Sequence, residues 1–547
     1  MEKVLFIVPP HITFADFVKP AFNTRIVTKD GGTFGNVLTD MPLGVLSLSA
    51  YFKKHSEAEV RLIDFNVVLN KLEHFDSSSF FDFFKASLAE LSSKGFVPTI
   101  VAISALFSPS YQNMIILAKC CRQLFPQAMI IVGGGVPTNM PAKIFADSAE
   151  IEAICFGEGE KPLLGLVAAK DKLAYLRENS SWITREKIDQ NKTFKHDFIE
   201  DLDEIPFYDY ALLNIADYSL NPAITAYASL EEKNQNFHVM TSRGCPYRCC
   251  FCSSHTVHGR AMRYYSLARI REDFTRLRDE YGAKILIFQD DHFVADRARA
   301  LAIIALIKEL GFKAVFQNGL ALHALNREML EALKSAGVDQ LMLSVESGSE
   351  RVLKEIMHKP LSLSIIKQVA ADCRDLGIYT NVNILIGLPG ETREDIEEAR
   401  DFLKTIYGNW FMIFCANPLV GSEMYEICEK KNYLKDDVVG SDYKKAVVET
   451  EDFTAEYIQD TAYLMNLELN FVNNSDFRLG NYETALKGFE NAIRAKADHA
   501  VAYYYAAKCY AKLGEKEKSL KYFERTRKIA KENPFWLRYL KMFNIAL

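Results

Sequence analysis

The sequence predicts an α/β chain in three parts: an N-terminal doubly wound parallel sheet, a full or partial (β/α) barrel, and a C-terminal set of α-helical repeats. Three observations carry this. Short apolar, β-branched runs alternate with helical stretches over residues 1–165 and again over 236–430, the pattern of parallel strands covered by helices on both faces. The second series strings strand–helix units together without a Rossmann glycine fingerprint, which suits a barrel. The end of the chain instead repeats itself every 34 residues, as arrays of helical hairpins do.

The totals allow such a chain and exclude several others. At roughly 100–200 residues per domain, 547 residues make about three domains. Hydrophobic residues at 49% and charged residues at 25% describe an ordinary globular protein. A formal net charge of −6 gives no basic field for nucleic acid, and there is no polybasic block for a membrane surface. No run approaches a membrane span. The start "MEKVLFIVPP" is too short and too acidic for a signal peptide, so the expected location is cytoplasmic. In that reducing compartment, clustered cysteines read as metal-binding or catalytic rather than as disulfides.

In the first series the strands fall at "KVLFIV" (3–8), "AEVRLIDF" (58–65), "TIVAIS" (99–104) and "AMIIVGG" (128–134). Helices follow at "PLGVLSLSAYFKKH" and "SYQNMIILAKCCRQLF", and "SSSFFDFFKASL" (77–88) reads as a helix with one buried face. Ligands of such sheets bind beyond the carboxyl ends of the strands, which here carry Pro9-Pro10, Ser104 and Gly133 to Gly135.

The second series has strands at 237–242, 284–290, 314–319, 340–347, 380–387 and 410–417, with helices such as "SLARIREDFTRLRDEYG" and "REMLEALKSAG" between them. Its strand ends should bring Arg243, Asp290, Asp291, Glu346 and Glu391 to a shared mouth. His238, His292 and His323 read as satisfied or solvated histidines.

The repeats then pair Gly480 with Gly514, Leu486 with Leu520 and Phe489 with Phe523. This is the tetratricopeptide period, although Ser519 and Thr526 replace the usual alanines. Two units fall short of an independently stable array. They are expected to dock on the barrel, on a helix from about 454, or on another chain. The domain boundaries read as 1–190, a linker at 191–235, 236–440, and a helical region at 441–547 whose repeats span about 470–530.

Chemistry concentrates in "RGCPYRCCFC". Cys245, Cys249 and Cys252 follow C-x3-C-x2-C spacing just after an apolar strand, and Cys250 reads as a bystander. Three thiolates on one loop can hold three irons of a [4Fe–4S] cube and leave the fourth iron open. The alternative is a zinc knuckle completed by His255 or His258.

At this point the sequence resembles the radical S-adenosylmethionine superfamily, whose signature is C-x3-C-x-aromatic-C after the first strand of a partial (β/α)6 barrel. Cys245, Cys249, Phe251 and Cys252 match it. The resemblance implies that Asp290 or Asp291 receives the amino group of S-adenosylmethionine, that Glu346 meets its ribose, and that Gly387, Leu388 and Gly390 lie beside its adenine. Met41 to Gly44, "RLIDFN" (61–66), Gly133-Gly134 and "FGEGE" (156–160) resemble the cobalamin (B12)-binding, Rossmann-like branch. There Gly133, Gly134 and Gly135 are the expected corrinoid contacts, and the absence of D-x-H-x-x-G implies no histidine ligand to cobalt from that loop.

What this implies is a cobalamin-dependent enzyme that cleaves S-adenosylmethionine to a 5′-deoxyadenosyl radical and methylates an unactivated carbon. The expected substrate is a peptide, lipid or small metabolite, and the expected electron donor is a protein such as flavodoxin or ferredoxin. A protein partner on the repeats is also expected, and no catalytic side chain is assigned. A radical cyclase or rearrangement enzyme without methyl transfer, a methylthiotransferase, and an interaction protein with a structural cluster are the other readings.

Overall fold

The computed structural model describes residues 2–20, 26–218, 235–435, 438–439 and 445–546. Part of the expected linker, 219–234, lies outside them. Two compact units emerge: residues 1–318 with 418–442, and residues 319–417 with 443–547. The division passes through the second α/β series, between its third and fourth strands.

The first unit opens with a six-stranded sheet. Its strands are β1 (Lys3–Val8), β2 (Glu59–Asp64), β3 (Ile100–Ser104), β4 (Met129–Gly133), β5 (Ala153–Cys155) and β6 (Trp182–Ile183). The order is β2-β1-β3-β4-β5-β6, parallel except for the last pair. Alternation along these strands makes two cores. Leu5, Ile7, Val101, Ile103, Ile130 and Val132 face helices α1 (Phe80–Ser93) and α2 (Tyr111–Leu124). Val4, Phe6, Ile100, Ala102 and Ile131 face α3 (Leu43–His55) and α4 (Glu160–Ala168). A sheet buried on both faces explains why its strands read as continuous apolar runs. The topology reverses between β1 and β3, so the crevice beyond their carboxyl ends is the natural ligand position. The phenylalanine-rich segment is indeed a core helix: Ser79 caps α1, and Phe80, Phe83 and Phe84 are buried.

The same unit holds a parallel three-stranded sheet, β7 (Asn236–Val239), β8 (Ile285–Phe288) and β9 (Lys313–Phe316), in the order β9-β8-β7. Phe237 packs toward Tyr281 at the end of helix α5 (Leu267–Tyr281), and Phe288 packs against Phe274 of the same helix. His238 and Ile287 share the opposite face.

The second unit carries β10 (Gln340–Glu346), β11 (Tyr379–Ile386) and β12 (Trp410–Cys415), also parallel. Its C-terminal part is helical, through α6 (Ala455–Leu467), α7 (Tyr482–Ala495), α8 (Ala500–Lys512) and α9 (Lys516–Glu532). Gly480 and Gly514 adopt near-identical left-handed φ of 84° and 85°, each before the next helix, so the 34-residue period has a backbone counterpart. Thr526 is tolerated at a buried position because its hydroxyl donates to Tyr522 O, 3.0 Å away on the same helix. The helices dock on β12. Gly488 leaves room for Trp410, where a Cβ would come within 2.9 Å of the ring. Buried Asn470 accepts from Phe411 N at 2.7 Å and donates to Phe411 O at 2.8 Å. One side-chain amide thus completes the edge of the strand.

Sequence reading missed β5 and β6, whose three and two residues are too short to show periodicity, and the hairpin Ile26–Lys29/Gly32–Gly35. No described helix is long and apolar enough to cross a membrane. Replacing Asn470 by Leu is expected to lower stability by roughly 2–4 kcal/mol, since it leaves a buried N–H and C=O unpaired. Urea unfolding of the variant and the parent checks this.

Candidate functional site

The cysteine loop is closed at its base by the antiparallel pairing of Ser242–Arg243 with Arg263–Tyr264. Gly244 is required there: its φ is +94°, and a Cβ would lie 2.3 Å from Ala261 O. Inside the loop Cys252 N donates to Cys249 O at 3.1 Å, and a short helix, His255–His258, follows. Cys245, Cys249 and Cys252 are half-buried, whereas Cys250 is buried and its carbonyl accepts from Met424 N at 2.8 Å. The bystander reading of Cys250 therefore has a packing reason.

Burial pushes the Cys245 thiol up to about 11, and the nearby thiols of Cys252 and Cys249 add to it. Yet among the described residues no three His, Cys, Asp or Glu side chains converge as the ligands of one ion do. If a cube is bound, these three cysteines of one loop would each supply a thiolate to one iron. His258, a candidate fourth zinc ligand, instead places Nδ1 2.8 Å from Glu158 Oε1.

The two aspartates separate cleanly. Asp290 is 3% exposed and accepts from Thr241 N (3.1 Å), Thr241 Oγ1 (2.7 Å) and Ser242 Oγ (2.6 Å). It braces the strand end that launches the loop. Asp291 has a buried Oδ2 with no hydrogen-bond partner among the described residues, and it lies close enough to Cys245 to act on that thiol. Burial raises both carboxyls, against the pull of His258 on Asp291 and of Ser242 and Thr241 on Asp290. An unmatched acceptor beside three thiols is what a bound ammonium group would satisfy.

The face of β7, β8 and β9 turned away from α5 is mixed: Ile285, Ile287 and Val315 form an apolar cluster on it, and polar side chains lie toward its edges. His238 is 2% exposed, with neither ring nitrogen hydrogen-bonded, and its Nε2 lies 3.4 Å from Asp40 Oδ1. Gln317 donates to Asp40 Oδ2 at 3.3 Å and accepts from Gln289 at 2.7 Å. Asn236 is buried with both ends of its amide unpartnered. Of the expected satisfied or solvated His238, the structure gives a ring that is buried rather than solvated, with the Asp40 carboxylate as its neighbour and no hydrogen bond among the described residues. Sequence spacing offered no signal for Asp40, which comes from another segment of the fold.

At the carboxyl end of β4, Gly134 has φ +107°, and a Cβ there would lie 2.6 Å from Ala105 O. What approaches this glycine is the neighbouring strand end. Gly133 and Gly135 are less crowded, with nearest atoms at 3.6 and 3.3 Å from a Cβ. Beside them Leu106 and Phe107 are 54% and 47% exposed, and His11 packs edge-on to Phe107 at 5.1 Å. Burial lowers the His11 pKa to about 4, so its ring is neutral. An exposed apolar lip over small residues fits the face of a flat corrinoid.

Within the second unit, Glu346 is a non-glycine residue with φ +67°, beside a register shift in β10. Backbone strain of this kind clusters at functional sites. Lys359 Nζ holds it, 3.2 Å from Glu346 Oε1 and 2.6 Å from Ser344 O. Gly387 and Leu388 donate their N–H groups to Glu391 Oε2 at 2.6 and 3.0 Å. The space at Gly387 is taken by Ile458, 2.8 Å from where a Cβ would be, while Gly390 stays open, with its nearest atom at 3.9 Å. Glu391 is fully buried, its Oε1 unpartnered, and burial pushes its carboxyl up to about 8. Arg243, Asp290 and Glu391 are all buried, so of the five strand-end side chains expected at a mouth these three act as internal braces.

Two outcomes follow for this geometry. Asp290→Asn is expected to destabilise by roughly 2–4 kcal/mol because it loses charge-assisted bonds, whereas Asp291→Asn leaves stability unchanged or raises it. Denaturant unfolding separates the two. Glu391 binds its proton more tightly folded than unfolded, so the stability it contributes is full below about 4.5 and drains as pH rises toward about 8. Glu391→Gln is expected to remove that slope, of up to about 1.4 kcal/mol per pH unit, in unfolding measured at pH 5.5 and 7.5.

Two family models match the chain. The B12 binding domain matches residues 34–167, which hold Gly133 to Gly135. The Radical SAM superfamily matches residues 239–403, from the cysteine loop to the Glu391 turn. Among curated relatives, the chain is 27% identical over 408 residues to the cytidylyl-2-hydroxyethylphosphonate methyltransferase of Streptomyces wedmorensis, covering 69% of this chain and 76% of the relative. It is 28% identical over 341 residues to an uncharacterized methyltransferase of Pyrococcus horikoshii, covering 62% and 72%. Among solved structures, the cobalamin-dependent S-adenosylmethionine radical enzyme OxsB, with aqua-cobalamin and S-adenosylmethionine bound, superposes with a TM-score of 0.61 at 16% identity, over 99% of this chain and 80% of that one. This last likeness is one of fold. With Gly133 to Gly135 inside the first matched segment and the cysteine loop inside the second, the chain carries a B12 binding domain followed by a Radical SAM superfamily domain.

Proposed function

We propose that the chain is a cobalamin-dependent radical S-adenosylmethionine methyltransferase that methylates a carbon of a polar substrate. The observation that carries this reading is the unmatched Asp291 oxygen beside three half-buried thiols, in the same compact unit as the apolar lip of a B12-type sheet. In this reading Cys245, Cys249 and Cys252 each ligate one iron of a [4Fe–4S] cluster. Asp291 receives the ammonium of S-adenosylmethionine, and Asp290 holds the loop. Gly133, Gly134 and Gly135, with Leu106 and Phe107, take the corrinoid. Glu346 is assigned to the ribose hydroxyls and Gly387, Leu388 and Gly390 to the adenine; the strained backbone of Glu346 supports this within its own unit. When bound, the cluster supplies the electron that cleaves S-adenosylmethionine to a 5′-deoxyadenosyl radical, and the corrinoid supplies the methyl group. The chain's part is to hold these groups and to aim the substrate.

The substrate class follows from the wall of His238, Asp40, Asn236, Gln289 and Gln317. A hydrocarbon against it would leave the side chains of buried His238 and Asn236, which have no hydrogen bond among the described residues, still unpaired, at about 1–3 kcal/mol each. Hydroxyl or amine donors would pair them. The Streptomyces relative is named for a polar, hydroxyl-bearing substrate. We further assign residues 1–190 to the corrinoid domain, 191–235 to a linker, 236–440 to the radical domain and 441–547 to the helical region. The electron donor is a flavodoxin or ferredoxin, and the C-terminal helices offer a surface for a protein partner. Eleven cysteines without a disulfide suit a cytoplasmic location.

The test is oxygen-free purification from cobalamin-fed cells, followed by trideuteromethyl-labelled S-adenosylmethionine with water-soluble and lipid extracts. About four irons and one cobalt per chain are expected, with label in a water-soluble product and no iron retained by Cys245→Ala. Iron without cobalt defeats the corrinoid assignment. 5′-Deoxyadenosine without labelled product favours a cyclase or rearrangement, and label confined to lipids overturns the substrate class.

A further inference from the structure

The motif "FGEGE" has a structural partner that its own neighbourhood does not contain. Phe156 to Gly159 lead from β5 into α4, and Gly157 makes the turn with φ +80°, where a Cβ would lie 2.3 Å from His196 Nδ1. The turn aims Glu158 into a buried charge cluster. Its Oε1 lies 2.6 Å from an Arg263 amino group and 2.8 Å from His258 Nδ1. Its Oε2 accepts from Arg263 at 2.9 Å and pairs with Arg243 at 3.0 Å. Arg243 also donates to Glu160 at 2.8 Å and Ser47 at 3.1 Å. Glu158, Glu160, Arg243 and Arg263 are all at most 6% exposed. Burial alone would raise the Glu158 carboxyl, but Arg243, His258 and Arg263 hold it far below the usual range.

The placement of these partners matters more than their number. Arg243 immediately precedes Gly244-Cys245, Arg263 ends the cysteine loop, and His258 ends the helix after Cys252. One carboxylate of the corrinoid-type sheet therefore grips the loop before, after and just beyond its thiols. A second, milder grip comes from the segment that follows Gly133 to Gly135. Asn139 Nδ2 donates to Thr256 Oγ1 at 2.9 Å, and Val257 Cγ2 lies 3.9 Å from where a Gly135 Cβ would be.

We propose that Glu158 is the positioning residue of the cluster-binding loop, and that through it and Asn139 the occupancy of the corrinoid edge is linked to the hold on the cluster. This rests on the functional reading above. Pairing at both ends of a loop, bidentate at Arg263 and single at Arg243, fixes its register, and outer contacts of this kind change metal affinity by about 10–100-fold. Linkage is reciprocal: whatever factor cobalamin adds to cluster retention, the cluster adds to cobalamin affinity.

The experiment follows iron release from the cluster-loaded protein to a ferrous chelator without oxygen, with and without hydroxocobalamin, and cobalamin affinity with and without cluster. In the parent protein cobalamin is expected to slow iron release about fivefold, and the cluster to tighten cobalamin binding about fivefold, within the usual range of coupling between two sites. Glu158→Gln is expected to release iron about tenfold faster and to bring both ratios to one, with Glu158→Asp restoring part of each. Asn139→Ala, a gentler change, lowers both ratios together and carries the linkage test if Glu158→Gln does not fold. Ratios of one in the parent, or ratios unchanged in both variants, overturn the proposal. A parent that holds iron but no cobalamin defeats the functional reading instead. The positioning role is then decided by Glu158→Gln alone: faster iron release upholds it, and an unchanged rate overturns it.

Discussion

The first unit depends on one buried carboxylate. Taking Glu158, Glu160, Arg243 and Arg263 out of water together costs several kcal/mol per ion. That cost is offset by the bidentate Arg263–Glu158 pair and by bonds to Ser47, Ile199 O and His258 O, while Arg243 Nε and Arg263 Nε find no partner among the described residues. Removing one partner would strand the others in a low dielectric. The cluster is therefore less a source of stability than a specification. It admits one arrangement of the cysteine loop against the first sheet, and Asp290 fixes the strand end from which that loop departs.

Much of this was legible in the sequence wherever the signal was periodic or local. Continuous apolar runs marked β1 to β4 and β7 to β12, because buried parallel strands need no polar alternation. The thiol spacing marked the loop, and the 34-residue glycine spacing marked two equivalent turns. What could not be read is long-range pairing. Glu158 meets Arg263 across 105 positions, and Asp40 meets Gln317 across 277. Neither leaves a local trace. Asp290 and Asp291 are adjacent and chemically identical; only the fold assigns one to three donors and leaves the other with an empty oxygen.

The glycines teach a related lesson. Gly134 and Gly387 were expected to admit cofactors, yet the nearest atoms to their missing side chains are Ala105 O and Ile458 Cγ2. Both positions are close-packed by the protein itself. A glycine-rich strand end can thus serve a ligand indirectly, by letting two strand ends or a strand and a helix approach until the backbone between them has the right shape.

Asn470 has a wider consequence. β12 lies at the edge of its three-stranded sheet, and an unpaired edge is a template for another strand. A single amide side chain occupies the hydrogen-bonding groups of Phe411, and Trp410 is packed under α7. The C-terminal helices therefore act as a guard against edge-to-edge aggregation. A chain whose synthesis stops before residue 470 would leave the N–H and C=O of Phe411 without that amide, and its hazard would be self-association along β12 rather than loss of any step at the cysteine loop.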